Sequence, residues 1–284
     1  IKKHGDFIKC ISFETNAGVL TATVEGLANA RGEYICLLDA DDIWHSNKLS
    51  EVVSCFADGY DLVFHEGEFI DASGNFLNKP VKCMIDDDKI ADSIRTFNGG
   101  FPMGSSISFR RSMLDLELLI SVFNSFKEKK VERSIHQDSA ILHTLLSRSD
   151  IKIKCIRNNL YGYRMHENND SLKSDFDNDS KLRKIFDGGL HTSLFATEIY
   201  KKSGLYYEDK GIEIGFMKFV YCKNFSLREK TLFNLYKDYY FLLKNNAFRG
   251  NKEKITKFIY PLFFRLPVTM RIFFRQIMSS FLPN

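Results

Sequence analysis

Proline and tryptophan are scarce in this sequence, with five and one respectively in 284 residues. So few prolines exclude collagen-like and proline-rich linker architectures and leave a chain built to pack. The six cysteines, Cys10, Cys36, Cys55, Cys83, Cys155 and Cys222, are widely scattered and form no CxxC pair. That spacing excludes a zinc cluster of the usual kind and gives no disulfide framework, so reduced thiols of a cytosolic protein are the better reading. No apolar run approaches the ~20 residues that a membrane span requires, and no signal-peptide pattern is visible. A net charge of +4 is too small to argue for nucleic acid as a partner. The chain opens at Ile1, not Met, in what reads as mid-domain.

What remains is ordinary globular material, long enough for one good-sized domain plus an extension or for two small domains. Residues 7–13 alternate loosely and predict a short strand. After the turn-like Asn16-Ala17-Gly18, residues 19–30 carry helical spacing, with Gly32 suited to the position just past the helix. Residues 34–38, Tyr-Ile-Cys-Leu-Leu, are a continuous apolar run, the pattern of a strand buried on both faces. Ser46 is placed to cap a helix running to Gly59; a strand follows at 61–64, then a tight turn at 71–75. Asp138 opens another helix, and a strand lies near 151–156. This alternation predicts an α/β layer with a mostly parallel sheet flanked by helices. Beyond Ser171 the pattern turns helical and irregular, which sets a boundary between residues 1–171 and a helical C-terminal extension, 172–284.

The apolar run ends at Asp39-Ala40-Asp41-Asp42. Two carboxylates separated by one residue, at the carboxyl end of a strand, can converge on one hard cation. Mg²⁺ and Mn²⁺ prefer oxygen ligands and are often held by one or two carboxylates plus phosphate oxygens. Taken alone, the tetrapeptide also suits a plain turn leading into a helix. An aspartyl-phosphate phosphatase carries a similar pair but needs a Gly-Thr-type turn that Asp42-Ile43-Trp44 does not supply.

The order Asn16-Ala17-Gly18, then Ala28 to Ile35, then Leu38-Asp39-Ala40-Asp41-Asp42-Ile43-Trp44 and Lys48-Leu49 resembles the family-2 glycosyltransferases of GT-A fold. The match is specific over the first fifty residues and continues more weakly to about Ser171. The resemblance implies a metal-dependent enzyme that moves a sugar from a nucleotide sugar to a glycan or lipid-linked acceptor with inversion. It implies that the first strands of the fold precede Ile1. It makes Asp41 the direct ligand of Mn²⁺ or Mg²⁺, with Asp39 beside it and nearer the ribose, and Asp42 either a sugar contact or a support for the loop. In His136-Gln137-Asp138 the family usually has Glu where this chain has Gln137, so Asp138 is the catalytic-base candidate, its charge favoured by the helix dipole. Tyr163-Arg164-Met165-His166, followed by Asn168 and Ser171, resembles a further family segment, in which Arg164 would pair with phosphate and His166 would complete the metal shell. The glycine-rich stretch 98–104 with Ser105 and Ser106 would then shape the acceptor side, Gly104 included, although a simple loop accounts for it equally well.

From Lys244 onward eight basic residues face the single acid Glu253, among many aromatics. Such a stretch suits the interface of an anionic membrane, on the cytoplasmic face of the inner membrane, as bacterial surface-polysaccharide assembly would require. An amphipathic helix docked on the catalytic domain is the plainer alternative. Two other functions fit less of the sequence: a non-catalytic nucleotide- or glycan-binding module, and a sugar nucleotidyltransferase, for which no glycine- and lysine-rich phosphate loop is present.

Overall fold

The computed structural model of the chain describes residues 8–83, 86–95, 102–166, 179–205, 237–240 and 244. It divides into two compact units, one of residues 1–172 with 191–208 and one of residues 173–190 with 209–284. Residues 98–101, Asn168, Ser171 and the basic aromatic tail from 245 onward lie outside the described residues.

In the first unit the described helices are α1 (Val19–Asn29), α2 (Lys48–Ala57), α3 (Ile90–Arg95), α4 (Leu116–Glu128) and α5 (Gln137–Leu145). The strands are β1 (Tyr34–Cys36), β2 (Ile43–Trp44), β3 (Leu62–Ile70), β4 (Phe76–Val81), β5 (Ser108–Arg110) and β6 (Ile153–Arg164). A sixth helix, α6 (Asp179–Ser203), contributes its residues from His191 onward to this unit. In the second unit the described structure is the beginning of α6 and the helical residues 237–240. No described helix is long and apolar enough to cross a membrane.

Side-chain alternation along the central strands makes two cores. Leu62 and Phe64 of β3 and Cys155 of β6 face α1, α4, α5 and the end of α6, among them Leu20, Leu119, Ile141 and Phe195. Val63 and Ile156, one residue along, point the other way onto Val52 and Phe56 of α2. Helices on both faces thus bury the middle of the sheet, the α/β layering expected from the sequence. Helix α4 begins at Asp115, whose Oδ1 accepts the Leu118 N–H at 2.9 Å. Helix α2 ends at Gly59, whose φ of +89° closes the turn while the Tyr60 N–H reaches back to the Cys55 carbonyl.

Strand order is where the sequence reading departs from the structure. The order is β1-β5-β3-β6-β2, with β4 paired to β3, and only β3 and β6 pair in parallel. Strands β1, β3 and β6 do run the same way, as helix–strand alternation requires. However, β5 inserts antiparallel between β1 and β3, so the expected mostly parallel pairing is replaced by a mixed sheet. The apolar run 34–38 is only half buried, because among the described residues β1 has β5 as its single neighbour, and Leu38 is 48% exposed. Residues 8–13 are exposed and form no strand. Asn47, not Ser46, precedes α2, and Ala30, not Gly32, closes α1.

Candidate active site

Chain direction brings the carboxyl end of β1, the start of α5 and the carboxyl end of β6 together. The short strand β2 follows Asp41 and Asp42 directly and pairs with Gly162 and Tyr161 of β6. Asp42 therefore lies within reach of the last residues of that strand. Its Oδ1 accepts the Arg164 backbone N–H at 2.9 Å, and the side chain is 8% exposed. That bond ties the acidic loop to the end of β6.

Arg164 serves the same loop from the other side. Its Nε donates to the Asp41 carbonyl at 2.6 Å, and Nη1 donates to the carbonyls of Asp71 and Ala72 at 3.2 and 2.9 Å. Three carbonyl oxygens direct the guanidinium, which clasps the acidic loop to the turn after β3. His166 Nε2 lies 2.9 Å from Asp41 Oδ2, with both side chains partly open to solvent.

Gly104, Ser105 and Ser106 form one buried turn of 3₁₀ helix beneath the acidic loop. The Ser105 hydroxyl accepts the Asp39 N–H, and its carbonyl accepts the Trp44 indole N–H, both at 2.9 Å. A Cβ on Gly104 would stand 2.9 Å from Asp39 Oδ2, so any larger residue there would displace that carboxylate. Ser105 braces the acidic loop, while the Ser106 hydroxyl donates to the Met103 carbonyl at 2.8 Å.

Asp39 is also held from α5. Gln137 Nε2 donates to Asp39 Oδ1 at 2.9 Å, and Gln137 Oε1 accepts from Thr23 Oγ1 of α1 at 2.6 Å. Asp138 follows in the first turn of α5, half buried, its Oδ1 accepting the Ser139 N–H at 2.7 Å. Sequence reasoning missed Thr23 and the contacts made by Trp44 and Gln137. Nothing in local pattern marks Thr23, whereas Gln137 was already conspicuous as an amide beside an acid.

The electrostatics follow from crowding. Burial raises the Asp39 carboxyl above its ordinary value, the charges of Asp42, Asp138 and Asp41 add to this, and the Gln137 amide opposes it. Asp42 is raised chiefly by burial and is eased by the Arg164 N–H and the Ser105 hydroxyl. Burial also raises Asp138, outweighing its bond to Ser139 and the field of His136; desolvation here exceeds the expected help of the helix dipole. Such a cluster holds more negative charge than its own hydrogen bonds offset, which is the setting a divalent cation relieves. Among the described residues no three His, Cys, Asp or Glu side chains could hold an ion by themselves. Asp41 and His166 offer two ligands, and their 2.9 Å separation matches the ~3 Å between adjacent ligands of an octahedral ion with bonds of ~2.1 Å. The remaining ligands would come from phosphate oxygens and water, as is usual for Mg²⁺.

Residues 1–116 match the family model described as glycosyl transferase family 2. The matched stretch makes this part of the chain similar to family-2 glycosyltransferases, and the α/β layer fits the GT-A fold. Asp39, Asp41, Asp42 and the Gly104–Ser106 turn fall inside the matched residues, whereas Gln137, Asp138, Arg164 and His166 lie beyond them and join the site through the fold. Over 173 residues the chain is 29% identical to an uncharacterized glycosyltransferase of Nostoc sp. (strain PCC 7120 / SAG 25.82 / UTEX 2576). That match covers 60% of this chain and 50% of the relative, so the chain spans half the length of the curated protein that it matches. Among solved structures, S. aureus TarS 1–349 in complex with UDP-GlcNAc aligns at a TM-score of 0.40 and 13% identity, covering 77% of this chain and 66% of that one. This last likeness is too slight to transfer site residues.

Proposed function

We propose that the chain acts as an inverting, metal-dependent glycosyltransferase that moves a sugar from a nucleoside-diphosphate sugar to an acceptor hydroxyl. The observation that carries this reading is the convergence of Asp39, Asp41, Asp42 and His166 with the first turn of α5, where Asp138 lies. Asp138 takes the proton of the acceptor hydroxyl as that oxygen attacks the anomeric carbon. The new C–O bond forms on the face opposite the departing nucleoside diphosphate, which inverts the centre. Burial makes Asp138 a stronger base than an ordinary aspartate. A Mn²⁺ or Mg²⁺ ion held by Asp41 and His166, with Asp39 alongside, would neutralise charge on the diphosphate. Asp42, Arg164 and Ser105 keep the acidic loop in shape while this happens.

In this reading residues 1–171 are the catalytic domain and 172–284 a helical extension. The acceptor is a glycan or a lipid-linked glycan. The basic aromatic tail would hold the enzyme on the cytoplasmic face of an anionic membrane.

The test is thermal stability of the whole protein against UDP, GDP, CDP and dTDP, with and without Mn²⁺. A metal-dependent rise in Tm for one nucleotide, followed by sugar transfer from its diphospho-sugar, is the expected result. No shift with any of the four removes the donor site. A shift without turnover leaves a binding module in place of an enzyme.

A further inference from the structure

Gln137 links three separate parts of the site, α1, the acidic loop and α5, and its chemistry is specific. Its amide N–H lies 2.9 Å from Asp39 Oδ1, and its amide oxygen lies 2.6 Å from the Thr23 hydroxyl. Turning the amide over would set two oxygens 2.9 Å apart at Asp39, so its orientation is fixed. The Ser105 hydroxyl holds the backbone N–H of Asp39, and the missing side chain of Gly104 leaves the space that Asp39 Oδ2 borders. Gln137 also precedes Asp138, and from Ser139 to Leu145 α5 is buried, so neither residue moves independently of the helix.

Resting on the donor-site reading above, we propose that Gln137 is a positioning residue that sets the Asp39 carboxylate for the nucleotide sugar and ties that loop to the helix carrying the base. The role requires a neutral donor. A carboxylate of the same shape offers no proton and adds a charge beside Asp39, Asp41, Asp42 and Asp138. A thioether of similar length fills the space but leaves Asp39 without its partner. Thr23, at the far end of the chain of bonds, holds the amide and touches neither loop nor substrate.

The experiment measures affinity for UDP, GDP, CDP and dTDP with Mn²⁺ in wild type, Gln137→Met, Gln137→Glu and Thr23→Val, all below their unfolding midpoints. For the nucleotide that wild type binds, Gln137→Met should weaken affinity about tenfold, the fold-change of one charge-assisted hydrogen bond. Gln137→Glu should cost on the order of a hundredfold, because a repulsion is added to that loss. Thr23→Val should cost about threefold. The excess loss in Gln137→Glu over Gln137→Met is the readout that a merely structural role would not give, because both side chains fill the same space. Affinities of both Gln137 variants within twofold of wild type, or a Gln137→Glu loss no greater than that of Gln137→Met, overturn this proposal alone. Wild-type protein that binds none of the four nucleotides overturns the donor-site reading and this proposal with it.

Discussion

Two buried charge groups sit within a few residues of each other and meet opposite fates. The carboxylates of Asp39 and Asp42 are desolvated, crowded and raised toward neutrality, yet they adjoin Asp41 and His166, which remain partly open to solvent. Lys48, at the start of α2, is 0% exposed. Its ammonium sits 3.6 Å from the centroid of Trp44 and 3.2 Å from the Ser108 hydroxyl, and burial lowers its pKa to about 8. Burial pushes both groups toward the uncharged form. The difference is access: the acidic loop can recruit a cation from solution, whereas the sealed lysine can only release its proton.

That contrast can be broken most severely at Asp41. Asp41→Asn should abolish the metal-dependent part of nucleotide binding, read as loss of the Mn²⁺-dependent Tm shift; a normal shift would remove Asp41 from the metal. Asp138→Asn should lower turnover by ~10²–10⁴-fold while leaving nucleotide affinity near wild type. Unchanged turnover would take the base role from Asp138.

The sealed side is tested by stability against pH. With a folded pKa of about 8 and an unfolded value of ~10.4, the unfolded chain holds more protons than the folded one between those limits. Stability therefore rises with pH across that window, by about 3 kcal/mol from this residue. Below pH 8 the cost of the buried ammonium is fully present. The stability gap between Lys48→Met and wild type, from urea unfolding, should change by that amount between pH 7 and 10.5, and a constant gap would mean that Trp44 offsets the burial completely. His65, buried in β3 and lowered to about 4 chiefly by burial, sharpens the acid side. The unfolded chain takes up its proton below ~6.5, so His65 stability is complete above that pH and is lost as pH falls toward 4. His65→Phe should flatten that acid slope by about 3 kcal/mol. The smallest effect belongs to Gly59→Ala, about 1 kcal/mol in unfolding free energy from the φ of +89°.

Most of what was legible in the sequence is local. Asp39 and Asp41 could be placed at the end of an apolar run because strand and turn obey short periods, whereas Asp138 was singled out by the family resemblance. What stayed hidden depends on partners distant in the chain. The insertion of β5 between β1 and β3 leaves no mark on the periodicity of any of the three strands. The carbonyl partners of the Arg164 guanidinium, at positions 41, 71 and 72, are backbone atoms that no residue pattern records. Helix α4 and strand β4 were likewise passed over, the first for want of any motif and the second because its residues are mostly exposed.

Those same bonds separate shape from chemistry in the acidic loop. Arg164 grips main-chain oxygens, and these are unchanged whatever side chain is attached. The identity of residue 41 can therefore be exchanged while the path of the backbone through the loop is kept. A lineage could retune or silence the reaction at this position without first learning to fold again.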